Sequence, residues 1–310
     1  MTLSEPNLRI TIVGSGAMAC LFGARLARVA SVTLTGSWAE GIEAIRTSGI
    51  TVEEAGQETA ARVPAILWGE PVEPADLAIV LVKAWQTERV AADIPRLLRP
   101  EGVALTLQNG LGNLEALGPR AILGVTYRGA TLLGPGRVLA GGDGATWIAG
   151  AGWISDLLRA AGMAVETGAP AQIDGMLWGK LAANCGINAL TALLRVPNGA
   201  LLRIPDAAVL MKRAAKECAA VATAKGIELP FSDPAGRVCE VALLTASNRS
   251  SMLQDLLRGA PTECDAINGA VARWGKRLGV PAPVNEFLYR MVKAAASLAA
   301  VSPEGGVPVS

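Results

Sequence analysis

The fold is decided by the stretch LRITIVGSGAMA, residues 8–19, in which a short β-branched run meets a glycine-rich turn. Residues 8–13 favour a β-strand because β-branched side chains suit a pleated, half-buried surface. The residues after the turn are apolar at helical spacing to about Val29, and SVTLT, residues 31–35, favours a second strand. A strand, a G-x-G-x-x-A turn, a helix and a strand in this order predict a Rossmann-type dinucleotide-binding unit.

Each small residue of the turn has a physical use. Gly14 permits the tight turn, Gly16 lets backbone N–H groups approach a pyrophosphate, and Ala19 lets the helix lie close to the sheet. The N-terminus of the helix adds unpaired donors and the positive end of a dipole. The predicted cofactor-binding residues of the turn are Gly14, Ser15, Gly16, Ala17, Met18 and Ala19. The alternative is an ordinary tight strand–helix turn, which the surrounding strands disfavour.

The residues after the second strand bear on the choice of cofactor. An NAD enzyme usually places a carboxylate there for the ribose hydroxyls, and an NADP enzyme a basic group for the 2′-phosphate. The sequence TGSWAE, residues 35–40, has neither at the strand end. The missing acid favours NADP, with hydroxyl donors from Thr35 and Ser37.

Composition excludes several classes of protein. Lys plus Arg number 28 and Asp plus Glu 27, so no bulk charge attracts nucleic acid or an anionic membrane. No signal peptide or membrane-length apolar run is visible in this sequence, and the five cysteines are scattered, so we expect a cytoplasmic protein with reduced thiols. The chain has no histidine. A zinc site is therefore improbable, and catalytic proton transfer must use Lys, Tyr, Cys or a carboxyl group.

The pattern changes character near Gly168-Ala169-Pro170. Before it, short apolar strands alternate with helices, and residues 121–167 are expected to complete the same sheet. After it, the periodicity is helical throughout. The sequence predicts an α/β fold with an N-terminal Rossmann-type domain, residues 1–170, and an all-helical C-terminal domain for substrate and catalysis, residues 171–310.

One predicted helix carries polar residues on an otherwise apolar surface. In LWGKLAANCGINAL, residues 177–190, Lys180, Asn184 and Asn188 are four residues apart and share one face. A cation and two amides on a buried helix need partners, either within the protein or from a ligand. A solvated stripe at a domain boundary is the alternative.

Two polar residues follow predicted strands of the sheet. Lys83 comes after DLAIVLV, residues 76–82, and Asn109 after VALTL, residues 103–107. Ligands of open parallel sheets bind beyond the carboxyl ends of the strands, which makes both residues candidates. Turn formation at Asn109-Gly110 and solvation at Lys83 would explain them equally well by position alone.

These motifs together resemble the ketopantoate reductase (2-dehydropantoate 2-reductase) family. The resemblance runs from about residue 8 to residue 295 and is carried by KAWQ at 83–86, QNG at 108–110, K-x-x-x-N-x-x-x-N at 180–188, NRSSMLQD at 248–255 and TE-x-D-x-ING at 262–269. It implies reduction of the ketone of ketopantoate with NADPH, a step toward pantothenate and coenzyme A. A small 2-oxo acid is the implied partner, and a homodimer is possible for such a chain.

The resemblance also implies residue roles. Lys180 would be the general acid at the ketone, and Glu263 would hold and orient it. Substrate oxygens would be bound by three amides and one hydroxyl, those of Asn109, Asn184, Asn188 and Ser251. Lys83 and Asn109 would line the cofactor side of the site. A positioned ammonium group and oriented amides suit this chemistry, because hydride addition builds negative charge on the carbonyl oxygen.

Helix capping offers an alternative for two of these residues. Ser251 followed by Gln254 has the spacing of a capping box, and Glu263 could complement the first turn of a helix. The chain also departs from the family pattern at two positions. Ala19 replaces the third glycine, and Ser37 stands where most members carry an arginine for the NADP phosphate. NADH is therefore an open alternative.

Three rival functions remain open at the level of sequence. A β-hydroxyacid dehydrogenase also uses Lys-x-x-x-Asn, but Asn188 and the serine block argue against it. A reductase of another 2-oxo acid and a non-enzymatic NADP sensor are the others. Tyr289 and Lys293 match the Tyr-x-x-x-Lys pair of short-chain dehydrogenases, and their place near the chain end favours a chance match.

Overall fold

The computed structural model describes residues 8–142, 144–150 and 152–298. The chain divides into two compact units. The first takes in the chain up to Gln108 together with Gly112–Ile173, and the second takes in Asn109–Leu111 together with the chain from Asp174 onward.

The strands of the described chain all belong to the first unit. They are β1 (Arg9–Val13), β2 (Ser31–Gly36), β3 (Ile50–Glu54), β4 (Gln57–Ala61), β5 (Ala65–Leu67), β6 (Ala75–Val80), β7 (Leu98–Thr106), β8 (Ala121–Thr126), β9 (Gly129–Gly134), β10 (Arg137–Gly141), β11 (Thr146–Ala149) and β12 (Val165–Gly168). Within the described residues, eight of them form one sheet in the order β12-β11-β8-β7-β6-β1-β2-β5.

The centre of this sheet is parallel and doubly wound. β1 lies between β2 and β6, with Ile10 opposite Val32 on one side and Leu77 on the other. The flanking strand β6 is buried at every residue, as expected of a parallel strand covered on both faces. The Rossmann-type prediction for this part of the chain is confirmed.

The expectation that residues 121–167 complete the same sheet is wrong for part of that segment. β8, β11 and β12 join the main sheet, but β9 and β10 form a second sheet in the order β4-β3-β10-β9. The reason is burial, because Val138 of β10 lies opposite Val52 of β3 and both are almost fully buried in the core that includes α1 (Ala17–Leu26).

The remaining helices follow the sequence pattern closely. They are α2 (Ala39–Ser48), α3 (Thr87–Leu97), α4 (Asn113–Leu117), α5 (Gly152–Ala160), α6 (Pro170–Leu194), α7 (Pro205–Ala224), α8 (Pro234–Leu244), α9 (Ser251–Leu257), α10 (Asn268–Leu278) and α11 (Pro283–Leu298). Asp233 caps α8 by accepting a hydrogen bond of 3.0 Å from the N–H of Ala235.

Helix α6 is the central helix of the second unit, and its glycines let neighbours approach its backbone. A Cβ at Gly186 would lie 2.7 Å from the carbonyl oxygen of Met211, and one at Gly179 would lie 3.0 Å from Pro230. Asn268, at the start of α10, donates from Nδ2 to the carbonyl oxygen of Cys185 at 3.1 Å. These contacts, together with the buried faces of Trp178 and neighbouring residues, fix the helix in position.

A buried amide network ties α7, α10 and α11 to α6. Asn268 Nδ2 donates to Asn285 Oδ1 at 3.0 Å, and Asn285 Nδ2 donates to the Glu217 carboxylate at 2.9 Å. The same carboxylate accepts from the backbone N–H groups of Val284 and Asn285 at the start of α11. A carboxylate in this place satisfies orphan donors and complements the helix dipole.

Candidate active site

The glycine turn of the first unit has the geometry of a dinucleotide-binding loop. Gly14 has φ +137°, a conformation that L side chains rarely adopt, and its N–H donates to Thr35 O at 2.8 Å. A Cβ on Gly14 would come within 3.2 Å of the backbone of Leu81. Ser15 is buried against the end of β2, where a Cβ on Gly36 would meet its hydroxyl at 2.5 Å.

The N-terminus of α1 is open toward an anion. Gly16 is the exposed N-cap residue, no side chain caps the helix, and its first turn has no acidic residue. Apart from Gly16 itself and its two chain neighbours, no heavy atom of the described residues lies within 4 Å of where a Cβ on Gly16 would be. Ala19 is fully buried against the sheet, whereas Ala17 and Met18 are half-buried. This arrangement fits the pyrophosphate of a nicotinamide dinucleotide.

The end of β2 carries Ser37, the position that bears on cofactor choice. Its side chain is exposed, and its hydroxyl oxygen lies 3.5 Å from Nε2 of Gln86. Gln86 ends a short 3₁₀ turn, Ala84–Gln86, that follows the half-buried Lys83. The residues beyond β6 and the residues beyond β2 therefore lie beside each other in the first unit.

Asn109 belongs to the second unit, although it comes just after β7. The N–H of Leu111 donates to Ala266 O at 2.9 Å, and Gly110 has φ +82°. A Cβ on Gly110 would lie within 2.9 Å of the Ala266 backbone. The Asn-Gly turn was an alternative explanation for this motif, and the close approach shows that glycine here also makes room for the segment that carries Glu263.

Lys180 projects from α6 and has an unusual acidity. Its side chain keeps part of its surface open, but protein atoms surround the ammonium group closely. Burial lowers the pKa of Lys180 from 10.5 to about 8, and the nearby Glu263 carboxylate opposes that shift. Burial is the larger of the two influences, so the pKa falls on balance.

The two asparagines follow Lys180 along the same face of α6. Asn184 is half-buried and Asn188 is buried. Neither side-chain amide has a hydrogen-bond partner among the described residues. Neither amide is among the buried side-chain polar atoms that lack a partner, so both amide groups are open to solvent and can hydrogen-bond the oxygen atoms of a ligand.

The helix cap next to Ser251 is formed by a different serine. Ser250 is the N-cap of α9, accepting from the N–H of Leu253 at 3.1 Å, and Gln254 donates to the carbonyl oxygen of Arg249 instead of closing a capping box. The capping alternative for Ser251 is therefore wrong. The Ser251 hydroxyl has no hydrogen bond to any other residue that the structure describes.

A hydroxyl pair links the two elements that carry these residues. The Thr191 hydroxyl on α6 lies 2.7 Å from the Ser250 hydroxyl, and both side chains are buried. The Thr191 hydroxyl also lies 2.8 Å from the carbonyl oxygen of Ile187. Sequence reasoning missed this pair. The position of Thr191, three residues after Asn188 on the same helix, was the signal that could have found it.

Glu263 lies in a turn before α10, not in the first turn of a helix, so the helix-dipole alternative is wrong. Its carbonyl oxygen accepts from the N–H groups of Ala266 and Ile267. In the same turn, the Asp265 carboxylate accepts from Tyr289 Oη at 2.7 Å and from Lys293 Nζ at 3.0 Å. The Tyr-x-x-x-Lys match is thus accounted for by an anchor of this turn.

Comparison with known proteins identifies the family. The family model for ketopantoate reductase PanE/ApbA matches residues 10–152, and the model for its C-terminal part matches residues 172–296. The chain belongs to the ketopantoate reductase family. It is 36% identical to the 2-dehydropantoate 2-reductase of Archaeoglobus fulgidus over 92% of this chain and 97% of that protein, and 34% identical to that of Halobacterium salinarum over 93% and 99%.

Solved structures of similar proteins extend to more than one substrate class. A ketopantoate reductase family protein from Ralstonia eutropha has a TM-score of 0.88 and 32% identity, covering 95% of this chain and 100% of that one. D-mandelate dehydrogenase with NADH and anilino(oxo)acetate has a TM-score of 0.88 and 30% identity over the same shares. The chain is therefore an oxidoreductase that uses a nicotinamide cofactor.

The described residues contain no cluster of metal ligands. No group of three or more Cys, Asp or Glu side chains among them is arranged to hold a metal ion. Within residues 8–142, 144–150 and 152–298, no helix combines the length and hydropathy that a bilayer crossing requires.

Proposed function

We propose that this chain reduces the ketone of 2-dehydropantoate to the alcohol of pantoate with NADPH, in the biosynthesis of pantothenate and coenzyme A. One observation carries the proposal. Lys180, with a pKa of about 8, shares a helix face with two side-chain amides that have no partner in the described protein. Family membership gives the reaction class, and this stripe supplies the proton donor and the hydrogen-bonding groups.

Lys180 is assigned the role of general acid. When bound, a reduced nicotinamide supplies a hydride to the ketone carbon, and the ketone oxygen must then take up a proton. A pKa of about 8 keeps the Lys180 ammonium mostly protonated at neutral pH, yet makes it a stronger acid than an exposed lysine. Glu263 holds and orients the ammonium group and limits the fall in its pKa.

The substrate oxygens are assigned to neutral donors. Asn184 and Asn188 hydrogen-bond the hydroxyl and carbonyl oxygens, Asn109 contributes from the adjoining segment, and Ser251 binds the carboxylate. Amides and a hydroxyl fix these positions without adding charge, which leaves one cation near the developing alkoxide. In the first unit, the glycine turn from Gly14 to Ala19, together with Ser37 and Lys83, is assigned to the cofactor.

A second candidate is an NADH-dependent reductase of a bulkier 2-oxo acid. It is favoured by Ser37, which gives the end of β2 no basic side chain, and by the similarity to D-mandelate dehydrogenase with NADH. We prefer NADPH because the strand end also has no carboxylate to repel a 2′-phosphate.

A spectrophotometric screen separates the two candidates. NADPH and NADH are each followed by their near-ultraviolet absorbance with 2-dehydropantoate, with an aryl 2-oxo acid and with a short 2-oxo acid. We expect the highest kcat/KM with NADPH and 2-dehydropantoate. A higher value with NADH and the aryl acid would replace the first candidate by the second, and no turnover with any pair would refute both.

We assign the cofactor to residues 1–170 and the substrate to residues 171–310 with Asn109. A cytoplasmic location is supported by the five cysteines, all of them free thiols. A homodimer stays a prediction, which light scattering on the purified chain tests directly.

A further inference from the structure

Ser37 leaves the end of β2 without the cation that a 2′-phosphate requires, and the first unit offers one from another element. We propose that Arg89, in the first turn of α3, supplies the positive charge that makes this chain favour NADPH over NADH. The inference deepens the proposed function and rests on its choice of cofactor.

The start of α3 lies next to Ser37, the residue that follows β2. Nε2 of Gln86, immediately before the helix, is 3.5 Å from the Ser37 hydroxyl oxygen. Arg89 is three residues further on, and residues three apart lie on the same side of a helix. The Arg89 side chain therefore leaves α3 on the side that faces the end of β2.

An indole ring fixes where that side chain lies. Trp68 follows β5, the strand beside β2, and its backbone N–H donates to Gly36 O at 2.9 Å. The Arg89 guanidinium lies over the Trp68 ring, with Cζ 5.8 Å from the ring centroid. The guanidinium thus lies over the ring of a residue whose backbone is hydrogen-bonded to Gly36, the residue before Ser37. Stacking of this kind holds a guanidinium in place while leaving its edge open for hydrogen bonds.

The charge of Arg89 is less compensated than that of its neighbour. Arg96 also lies 5.8 Å from the Trp68 centroid, but its Nε is 2.8 Å from the Asp93 carboxylate. Arg89 makes no ion pair at such a distance within the described chain, and it affects Asp93 only through a weak, longer-range attraction. Two arginines therefore flank one tryptophan. Arg96 is paired with a carboxylate and Arg89, among the described residues, is not, so Arg96 is a matched control for substitutions of Arg89.

A guanidinium suits a 2′-phosphate because its fork of N–H donors matches phosphate oxygens. A cofactor with a 2′-hydroxyl gains little from the same group. Removing the Arg89 guanidinium should therefore weaken the binding of a ligand with a 2′-phosphate and leave the binding of a ligand with a 2′-hydroxyl nearly unchanged. Loss of a charge-assisted hydrogen bond predicts a change of roughly tenfold or more.

The test measures binding of 2′,5′-ADP and of 5′-AMP by calorimetry to the full chain, to Arg89→Gln and to Arg96→Gln. We expect Arg89→Gln to raise the Kd of 2′,5′-ADP roughly tenfold or more and to leave 5′-AMP within about twofold. Arg96→Gln should leave both ligands near the wild-type values. Retained 5′-AMP binding shows that the variants are folded.

Three outcomes would overturn the assignment. The first is that Arg89→Gln weakens the binding of 2′,5′-ADP and 5′-AMP equally. The second is that Arg96→Gln weakens 2′,5′-ADP binding as much as Arg89→Gln does. The third is that the wild-type chain does not bind 2′,5′-ADP more tightly than 5′-AMP. No 2-oxo acid is present in this experiment, so the binding result can be interpreted even if the chain does not reduce 2-dehydropantoate. The kcat/KM ratio of NADPH to NADH should fall in parallel for Arg89→Gln.

Discussion

Two influences of opposite sign act on Lys180. Burial disfavours its charged form and lowers the pKa to about 8, while the buried Glu263 carboxylate favours the charged form and limits the shift. A lysine without the carboxylate would lose its proton too readily to act as an acid at neutral pH. A lysine in open water would hold the proton too tightly to release it efficiently.

This balance predicts the pH dependence of ketone reduction. The protonated fraction of Lys180 falls as pH rises through about 8, so kcat/KM should fall on the alkaline side of that value. Glu263→Gln removes the influence that raises the pKa, and the alkaline limb should move to lower pH. Glu263→Asp keeps the charge and serves as the control. If the alkaline limb of the pH profile does not move in Glu263→Gln, the Glu263 carboxylate does not influence the titration of Lys180.

Substitutions of the adjacent serines Ser250 and Ser251 should have different effects, one on the stability of the fold and the other on substrate binding. Ser251→Ala should raise the KM of the 2-oxo acid about tenfold or more, because a hydrogen bond to a charged carboxylate is lost, and should leave the unfolding free energy nearly unchanged. Ser250→Ala removes the N-cap of α9 and should lower the unfolding free energy by about 1 kcal/mol. Steady-state kinetics and chemical denaturation check the two. A KM for Ser251→Ala equal to that of the wild type would contradict the assignment.

The placement of single site residues was only partly predictable from the sequence. The spacing of Lys180, Asn184 and Asn188 gave their shared face, because helical periodicity is a local property. The pKa of Lys180 was not predictable in size, since it depends first on burial by the folded chain and then on Glu263, which lies far away along the sequence. The choice of Ser250 over Ser251 as the cap was missed because adjacent serines offer the same chemistry and differ only in backbone geometry.

At the scale of elements, α6 and α9 are joined by the pair of hydroxyls from Thr191 and Ser250. This pair fixes the cap of α9 relative to the helix that carries the amide stripe, and Ser251 follows the cap directly. The helical character of the second part of the chain was predicted, because apolar residues at helical spacing are a local signal. The second sheet was missed, since the pairing of β10 with β3 joins segments far apart in the chain.

The pair of hydroxyls from Thr191 and Ser250 predicts that Thr191 and Ser251 have coupled effects on substrate binding. Thr191→Val keeps the shape and removes the hydroxyl, so Ser251 should be less well placed and the KM of the 2-oxo acid should rise several-fold. Thr191→Ser retains the hydroxyl and should behave as the wild type. In a double-mutant cycle, Thr191→Val should add little to Ser251→Ala, because both act on one contact. Fully additive effects on KM would show that Thr191 acts elsewhere.

At the scale of the whole molecule, the sequence predicted the α/β fold with a Rossmann-type part and a helical part, together with the family. It did so because the glycine turn, the buried parallel strands and the helical repeats each have a local signature. The sequence did not predict that Asn109–Leu111 group with the second unit. That placement depends on the contact of Gly110 with Ala266, which no local pattern encodes.

The central claim is that this chain transfers a proton from Lys180 to a ketone oxygen during reduction. The most direct measurement is kcat for NADPH oxidation with saturating 2-dehydropantoate by Lys180→Ala, with NADPH binding measured in parallel. We predict a loss of roughly two to four orders of magnitude in kcat, with NADPH binding retained. A kcat within a few-fold of the wild type would contradict the claim.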